Sequence, residues 1–314
     1  SATEVNCITP EHAGGVVSVE LTQNEQQYTS DGVQFEYRHV VAHGIYPRSG
    51  PVSGGTLVEV RGANFEEADA RGAFCQFGAA DAVVATHASS ELVRCVAPPS
   101  AGLAPGVVPV RVLSNGAVHT SAVAFSYRAA TAVERVHPVA GARGGGTSVT
   151  VYGSGFADLA EARCRFADAA VAARVLSSNA VECVSPQPGS AGYVQLEVTM
   201  NGVDYSSDGV QFEYQQSVRV RALEPSRGPV EGGTFVNVTG SGFAERAALL
   251  GYLWCRFNQT AVVAAWHSAS EVHCIAPEHA SGVVSVELTQ NEQQHTSDGV
   301  QFEYRHVVAH GIHP

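Results

Sequence analysis

Lysine is missing from this 314-residue chain, because each of the eighteen basic residues is Arg. Without a lysine amine, Schiff-base chemistry, lysine-containing phosphate loops and lysine–asparagine isopeptide crosslinks are excluded. Charge of either sign is scarce, at 15% of residues, and acidic groups dominate, with a formal net charge of -12. A spread acidic balance repels nucleic-acid phosphate and anionic membranes alike. We therefore expect no nucleic-acid partner.

Long apolar runs are also missing, since no stretch approaches the roughly 18 residues of a membrane-spanning helix. Ser1 does not open a signal peptide, so any targeting segment is expected outside the chain. Enzyme motifs are absent from the sequence too: it contains no HExxH, GxSxG, P-loop or paired Cys–His arrangement. These absences predict a soluble, non-enzymatic chain without a membrane span.

A long internal repeat is the strongest feature of the sequence. Residues 1–47 return at 268–314 and differ at only six positions, namely 3, 6, 9, 14, 28 and 46. A more diverged repeat lies beneath it: GGTLVEVRGANF at 54–65, GGTSVTVYGSGF at 145–156 and GGTFVNVTGSGF at 232–243. Each copy continues with Cys-x-Phe, a second Cys nineteen or twenty residues later, and a closing Val-x-Phe-x-Tyr. The chain is therefore an array of modules of about ninety residues.

The module boundaries follow from these repeated motifs. We predict the C-terminal half of a domain at 1–37, complete domains at 38–128, 129–215 and 216–305, and the start of a connection to a following domain at 306–314. Almost no linker separates the modules, so neighbours are expected to touch end to end as a semi-rigid rod.

Hydrophobic residues alternate with polar ones inside each module. The segments GVVSVELT at 282–289 and VQFEY at 300–304 have the period of two that is typical of strands with one wet face. Six or seven short strands in ninety residues leave no room for crossover helices, which indicates an antiparallel β-sandwich. Short Ala/Glu-rich segments near 66–70, 157–162 and 244–250 are expected to be helical turns between strands.

The full pattern resembles a known family. Pro-x-x-Gly, GGTxVxVxGxxF, CxF, VxC before a Pro, and a terminal VxFxY together look like the IPT/TIG immunoglobulin-like domain, in three complete copies and one partial copy. The resemblance implies an all-β fold of tandem Ig-like sandwiches. Similar domains occur in plexin-type and growth-factor-receptor ectodomains, in polysaccharide-processing enzymes and in some transcription factors, so the fold alone does not define a function.

The cysteines recur in pairs within the modules, and together with the family pattern this predicts disulfides Cys75–Cys95, Cys164–Cys183 and Cys255–Cys274. Buried free thiols are the alternative, and zinc is disfavoured because no ligand set is complete. Cys7 has no partner within the chain, and we expect it to bond a residue placed like Cys255 in a preceding module. Paired cysteines indicate an extracellular location, secreted or at the cell surface.

Two sequons agree with an extracellular location. N-linked glycans are expected at Asn237 and Asn258, the only modification or cofactor that we predict. His39 and His43 share a strand face, as do His306 and His310, but four residues along a strand span about 13 Å, too far for one metal. Trp254 and Trp266 occur only in the third module, where they either contact a sugar or neighbour or pack beneath a loop.

Residues 1–37 match only the back half of the third module, so the opening strands are absent and the core face is expected to be open. The chain is then a window from a longer array, a half-domain completed by a neighbouring protomer, or a processing product.

Three functions remain open. The first is a structural array that extends into a filament, by covalent continuation or head-to-tail self-association, with at most about 120 Å per three-domain unit. The second is an ectodomain or adhesin that binds a surface protein or glycan. The third is an accessory region of a polysaccharide-active enzyme. The acidic charge, the paired cysteines and the sequons disfavour a transcription factor.

Overall fold

The computed structural model describes residues 4–65, 73–114, 117–119 and 123–306, and it divides into two compact units, residues 1–130 and 131–314. Nearly every regular element is a strand, which confirms the predicted all-β fold. The Ala/Glu-rich segment at 66–70 and the chain from 307 onward lie outside the described residues.

The first unit holds a hairpin followed by a complete sandwich. Its strands are β1 (Gly15–Ser18), β2 (Gln34–Tyr37), β3 (Val41–Tyr46), β4 (Ser49–Pro51), β5 (Leu57–Ala63), β6 (Phe74–Phe77), β7 (Val83–Val84), β8 (Thr86–Ser89), β9 (Leu92–Val96), β10 (Gly106–Ser114), β11 (Ala117–His119) and β12 (Ala124–Arg128), with a 3-10 turn at Ala101–Leu103. The two sheets of the sandwich run β3-β5-β9-β8 and β4-β12-β10-β6-β7, and β11 pairs with β10.

The second unit holds two sandwiches. The strands of the first are β13 (Ala132–His137), β14 (Ala140–Ala142), β15 (Ser148–Ser154), β16 (Arg163–Phe166), β17 (Ala169–Ser177), β18 (Ala180–Val184), β19 (Gly192–Thr199) and β20 (Gln211–Gln215). The other has β21 (Arg219–Glu224), β22 (Arg227–Pro229), β23 (Phe235–Ser241), α1 (Glu245–Leu249), β24 (Trp254–Phe257), β25 (Thr260–Val263), β26 (Ala265–Ser268), β27 (Glu271–Ile275), β28 (Gly282–Thr289) and β29 (Gln301–Arg305).

The three complete sandwiches, called modules 1, 2 and 3 in chain order, share one topology. In module 3 the sheets run β21-β23-β27-β26 and β22-β29-β28-β24-β25. The short strand β22 pairs with β29 in parallel, whereas the other pairs are antiparallel. In module 2 the long strand β17 pairs with both β16 and β18, so that it passes from one sheet into the other.

Each core lies between its two sheets and is built by alternation. Val284, Val286 and Leu288 of β28 are buried, whereas Ser285 faces solvent. Phe257 and Phe302 meet edge to face in the middle of the core, with ring centroids 5.5 Å apart. Burial of each such side chain stabilises the fold by about 1.5–3 kcal/mol, so a ninety-residue module has a core of its own.

The Ala/Glu-rich segments have different outcomes. The segment near 244–250 forms α1 as expected. The segment near 157–162 closes only one turn, from Ala162 N to Leu159 O at 3.0 Å, and does not continue as a helix.

Candidate functional site

Three buried disulfides hold the sheets of the complete modules together. The pairs are Cys75–Cys95, Cys164–Cys183 and Cys255–Cys274. In each module the first Cys lies on the strand after the Gly-rich repeat and the second on the opposite sheet, as Cys255 on β24 and Cys274 on β27 show. All six side chains are 0% or 1% exposed. Each bond therefore crosses the core between the two sheets.

The hairpin β1–β2 of the N-terminal half-domain has the strand register of β28–β29 in module 3. Gly15 pairs with Tyr37 and Val17 with Phe35, the register that Gly282 with Tyr304 and Val284 with Phe302 have in module 3. The next backbone bond is repeated too: Val19 N donates to Val33 O, and Val286 N to Val300 O, both at 2.9 Å. The hairpin thus adopts the conformation of the corresponding strands of module 3.

The edges and inner face of this hairpin are open. In module 3, β28 lies between β24 and β29, and β29 also pairs with β22. Within the described residues, β1 and β2 pair only with each other. Phe35 is 40% exposed, whereas its counterpart Phe302 is 0% exposed. The half-domain therefore presents to solvent the surface that a front half covers in module 3.

Cys7 lies in this half-domain. It is exposed and forms no disulfide within the described residues, whereas its counterpart Cys274 is bonded to Cys255. In the sequence, Cys7 thus has the position of the module 3 cysteine that bonds the two halves, although residues 4–8 form no strand where module 3 has β27.

Modules 2 and 3 contact each other through a loop after β28. The side-chain amide of Gln293 accepts from Ser148 N and donates to Ser148 O, both at 2.8 Å. Beside it, Gln294 Nε2 donates to Gly146 O at 3.0 Å, and Thr147 Oγ1 donates to Gln294 Oε1 at 2.9 Å. The two glutamines thus bind the Gly-rich loop before β15, here called the GGT loop of module 2 (residues 145–148).

The same junction has two further contacts. Arg246 of α1 forms an ion pair with Glu213 of β20 at 2.9 Å. Tyr252 lies against His137, with ring centroids 5.9 Å apart and Oη 3.3 Å from Nδ1. The junction was not predicted from the sequence. A signal was present, because the loop sequence Thr-Gln-Asn-Glu-Gln-Gln occurs unchanged at 22–27 and at 289–294.

The two sequons have different environments. Asn258 is exposed and occupies the two-residue turn between β24 and β25, with φ 57. Asn237 lies on β23, opposite His273 of β27, and is half-buried. Its Oδ1 is buried without a hydrogen-bond partner among the described residues. Asn258 is therefore the more exposed of the two, with its Nδ2 3.4 Å from His279 Nε2.

The two tryptophans lie on different sheets and are not brought together. Trp266 on β26 packs against the core of module 3, and its Nε1 donates to Phe243 O at 3.1 Å. Trp254 on β24 is half-buried, with Nε1 donating to Gly251 O at 2.8 Å. They do not form a joint aromatic platform.

The histidines predicted to share strand faces are not arranged as ligands. His39 Nε2 accepts from Gly14 N at 3.1 Å, and His43 lies exposed on β3. His306 is exposed, while His310 lies outside the described residues. Across the described part of the chain, no group of three His, Cys, Asp or Glu side chains is placed to hold a metal ion.

Shifted pKa values have structural causes. The hydrogen bond from Arg94 lowers the pKa of Glu59, and the hydrogen bonds from Ser148 and Arg174 lower the pKa of Glu182. Burial raises the pKa of Tyr304 to about 12. The two ion pairs join neighbouring strands and are partly exposed, so each contributes only modestly to stability.

The fold and these contacts define a class of protein: a tandem array of Ig-like sandwiches, each with an internal disulfide. The profile of the IPT/TIG domain matches residues 41–127, 132–214 and 219–304, and the chain therefore belongs to the IPT/TIG domain family. This confirms the resemblance drawn from the sequence.

Two curated proteins are similar to this chain in sequence. Mouse Plexin-B2 is 30% identical over 210 residues, which cover 64% of this chain and 11% of the relative. Human Fibrocystin-L is 30% identical over 260 residues, covering 77% of this chain and 6% of the relative. The chain thus spans only a small part of the length of either protein.

Among solved structures, the plexin A4 extracellular region aligns with 90% of this chain and 35% of its own, at 16% identity and a TM-score of 0.33. An Escherichia coli adhesin aligns with 85% of this chain and 96% of its own, at 12% identity and a TM-score of 0.25. In the described part of the chain, no helix has the length and apolar character to cross a membrane.

Proposed function

We propose that this chain is an extracellular structural array that extends into a filament when its half-domain is completed by the front half of another IPT/TIG domain. The observation that carries the proposal is the open hairpin β1–β2, which has the register of β28–β29 without their neighbours. The described modules already pair their own front strands, so the completing half belongs to a further domain, and a contact between two different surfaces is heterologous and does not close on itself.

Several features support the location and mode of action. Three disulfides are typical of an oxidising compartment. The plexin and Fibrocystin-L relatives favour an extracellular or cell-surface setting. Glycans on the sequons would suit the same compartment. The role proposed is assembly, with no catalysis.

Strand completion is tested with a polypeptide of residues 216–267, which contains the front strands of module 3 and Cys255 as its only cysteine. Mixed with the full chain under mild oxidation, it is expected to form a Cys7–Cys255 disulfide, detected by mass spectrometry of the digested adduct. A scrambled polypeptide with one Cys and a Cys7→Ser chain are the controls. Equal adduct formation by the scrambled sequence would contradict the proposal.

Filament formation is tested by electron microscopy of the native, unproteolysed material. The expected result is fibres with unbroken density and a repeat of three sandwiches. Isolated particles, together with a monodisperse mass of about 33 kDa by light scattering, would refute it.

A second candidate, an ectodomain or adhesin that binds a glycan or surface protein, is favoured by one surface of module 3. Phe235 and His273 lie with ring centroids 4.9 Å apart, and His267 stacks on His273 at 5.1 Å. The corresponding face of module 1 has the ion pair Glu59–Arg94 instead. Exposed aromatic groups in a row are suited to sugar or protein contacts. Loss of binding to a glycan array or cell surface in a Phe235→Ala/His273→Ala chain would support this alternative.

A further inference from the structure

The junction between modules 2 and 3 shows how one IPT/TIG domain recognises another. Gln293 and Gln294 bind backbone groups of the GGT loop of module 2. Within the described residues, the hydroxyl of Thr147 is the only side-chain group of this loop that the two glutamine amides contact. The hydroxyl of Thr147 also accepts from Asn291 Nδ2 at 3.2 Å. Recognition therefore requires a Gly-rich loop of fixed backbone shape with a Thr, and it does not require the Ser148 side chain.

The half-domain has a second copy of the recognising loop, Asn24–Gln27, here called the NEQQ loop. Its shape is already that of the docked copy. Gln26 N and Gln27 N donate to Asn24 Oδ1 at 3.1 and 3.0 Å. In the docked copy, Gln293 N and Gln294 N donate to Asn291 Oδ1 at 3.2 and 3.0 Å.

Two further features of the copies agree. Glu25 and Glu292 have positive φ, 62 and 63 respectively. Asn24 Nδ2 donates to Gln27 Oε1 as Asn291 Nδ2 does to Gln294 Oε1. Gln26 and Gln27 are nevertheless exposed and touch no other module in the described residues. The half-domain thus presents a preformed loop that has no partner module among the described residues.

Module 3 has a matching acceptor, its own GGT loop at Gly232–Phe235. The two glycines have φ 75 and 77, as Gly145 and Gly146 have φ 75 and 78. A Cβ at Gly232 would lie 2.6 Å from Glu278 N, so only glycine fits this turn. Gly233 N donates to Ala276 O at 2.9 Å, the bond that Gly146 N makes with Ser185 O at 2.8 Å.

This acceptor is open. Thr234 is half-buried, and within the described residues its hydroxyl has no hydrogen-bond partner. Strand β21 pairs with β23 only as far as Asn237, so no strand in the described part of the chain lies opposite the outward backbone groups of Phe235. In the other modules the equivalent loop is already covered: Thr147 by Gln294, and Thr56 by complete burial.

We propose that the NEQQ loop of one chain docks on the GGT loop of module 3 in a second copy of this chain. Gln26 pairs with the backbone of Phe235, and Gln27 with Gly233 O and the Thr234 hydroxyl. The inference rests on the self-association part of the proposed function, but it involves a surface other than the strand edges and does not need Cys7.

The test measures self-association by sedimentation velocity over a range of concentrations, in a Cys7→Ser background so that no intermolecular disulfide contributes. Gln26→Ala/Gln27→Ala removes the loop amides, and Thr234→Val removes the acceptor hydroxyl while keeping its volume. Gln26→Ala/Gln27→Ala is expected to weaken association at least about tenfold, because several hydrogen bonds are lost, and Thr234→Val by roughly three- to tenfold, because only those of one hydroxyl are lost. Gln259→Ala/Gln301→Ala changes two exposed glutamines outside both loops, and as the control it leaves association between chains unchanged.

Mixing the two variants gives the sharper readout. The Thr234→Val chain keeps its loop and the Gln26→Ala/Gln27→Ala chain keeps its acceptor, so an equimolar mixture is expected to form dimers that cannot grow further. A chain that is monomeric at every concentration, association insensitive to either variant, or a mixture that does not recover dimers would overturn the proposal.

The outcome is separable from that of the proposed function. Fibres that form equally well from the Gln26→Ala/Gln27→Ala chain would overturn loop docking while the filament stands. Loop-dependent association of a chain that forms no Cys7–Cys255 adduct with the 216–267 polypeptide would overturn strand completion while loop docking stands.

Discussion

Arg165 lies over the ring of Tyr205, with Cζ 3.9 Å from the ring centroid. At the equivalent position in module 3, Arg256 faces His295, and both arginines form ion pairs with a glutamate, Glu197 or Glu287. A tyrosine accommodates the guanidinium on its face, whereas a protonated imidazole would be repelled by it. The two modules therefore differ in how they respond to acid.

Acid is expected to destabilise module 3 through His295. Burial first, and then the charge of Arg256, lower the pKa of His295, while Glu287 opposes them. The pKa of His295 is lower in the folded than in the unfolded chain. Neutral His295 therefore contributes fully to the free energy of unfolding above the ordinary pKa near 6.5, and this contribution is lost as the pH falls below that value. Unfolding scans at pH 7.5 and 5 should show the loss, and His295→Tyr should remove this component.

The reciprocal variant is the control for this prediction. Tyr205→His places an imidazole against Arg165 and is expected to make module 2 acid-sensitive. Equal pH dependence in the native chain and the His295→Tyr chain would show that other groups carry the effect.

Removing the glutamine contacts is expected to loosen the junction of modules 2 and 3. Gln293→Ala/Gln294→Ala deletes four hydrogen bonds, each with a net contribution of about 0.5–1.5 kcal/mol. Proteolysis at the exposed connection Gln216–Ser217 should accelerate several-fold. At concentrations where the chain is monomeric, Gln26→Ala/Gln27→Ala should not change the cleavage rate, and an equal rise in both variants would contradict the assignment.

Loss of a cross-sheet disulfide is expected to destabilise its own module. Cys255→Ala/Cys274→Ala opens a loop of 19 residues, which corresponds to about 3 kcal/mol by the chain-entropy estimate. Calorimetry should show one unfolding transition moved to lower temperature and the others unchanged. Cys7→Ala, at an exposed cysteine, is the control and should leave all transitions in place.

The two sequons are expected to differ in occupancy. Expression in a secretory eukaryotic cell should modify Asn258, which is exposed in a two-residue turn, more completely than the half-buried Asn237. Intact-mass measurements of Asn258→Gln and Asn237→Gln chains resolve the two sites. A larger loss of glycan mass from Asn237→Gln would reverse the assignment.

Much of the fold follows from local sequence patterns. Alternation in GVVSVELT and VQFEY predicted strands that are present as β28 and β29. The short turn expected at 157–162 is present between β15 and β16, but composition does not distinguish it from the similar segment at 244–250, which continues into α1. The role of Gln293 and Gln294 could not be predicted, because polar residues are common in solvated loops and the sequence does not show which groups they contact.

The sequence by itself determined the all-β class, the three-module repeat and the family, because period-two burial and recurring Gly, Cys and aromatic positions are local properties of the chain. Only the tertiary structure decided which surfaces meet. Gln293 reaches Ser148 across 145 residues, and Gln26, with an identical sequence neighbourhood, reaches nothing described. Identical loops differ in role because a hydrogen bond depends on whether a partner lies within about 3 Å, and folding alone places that partner.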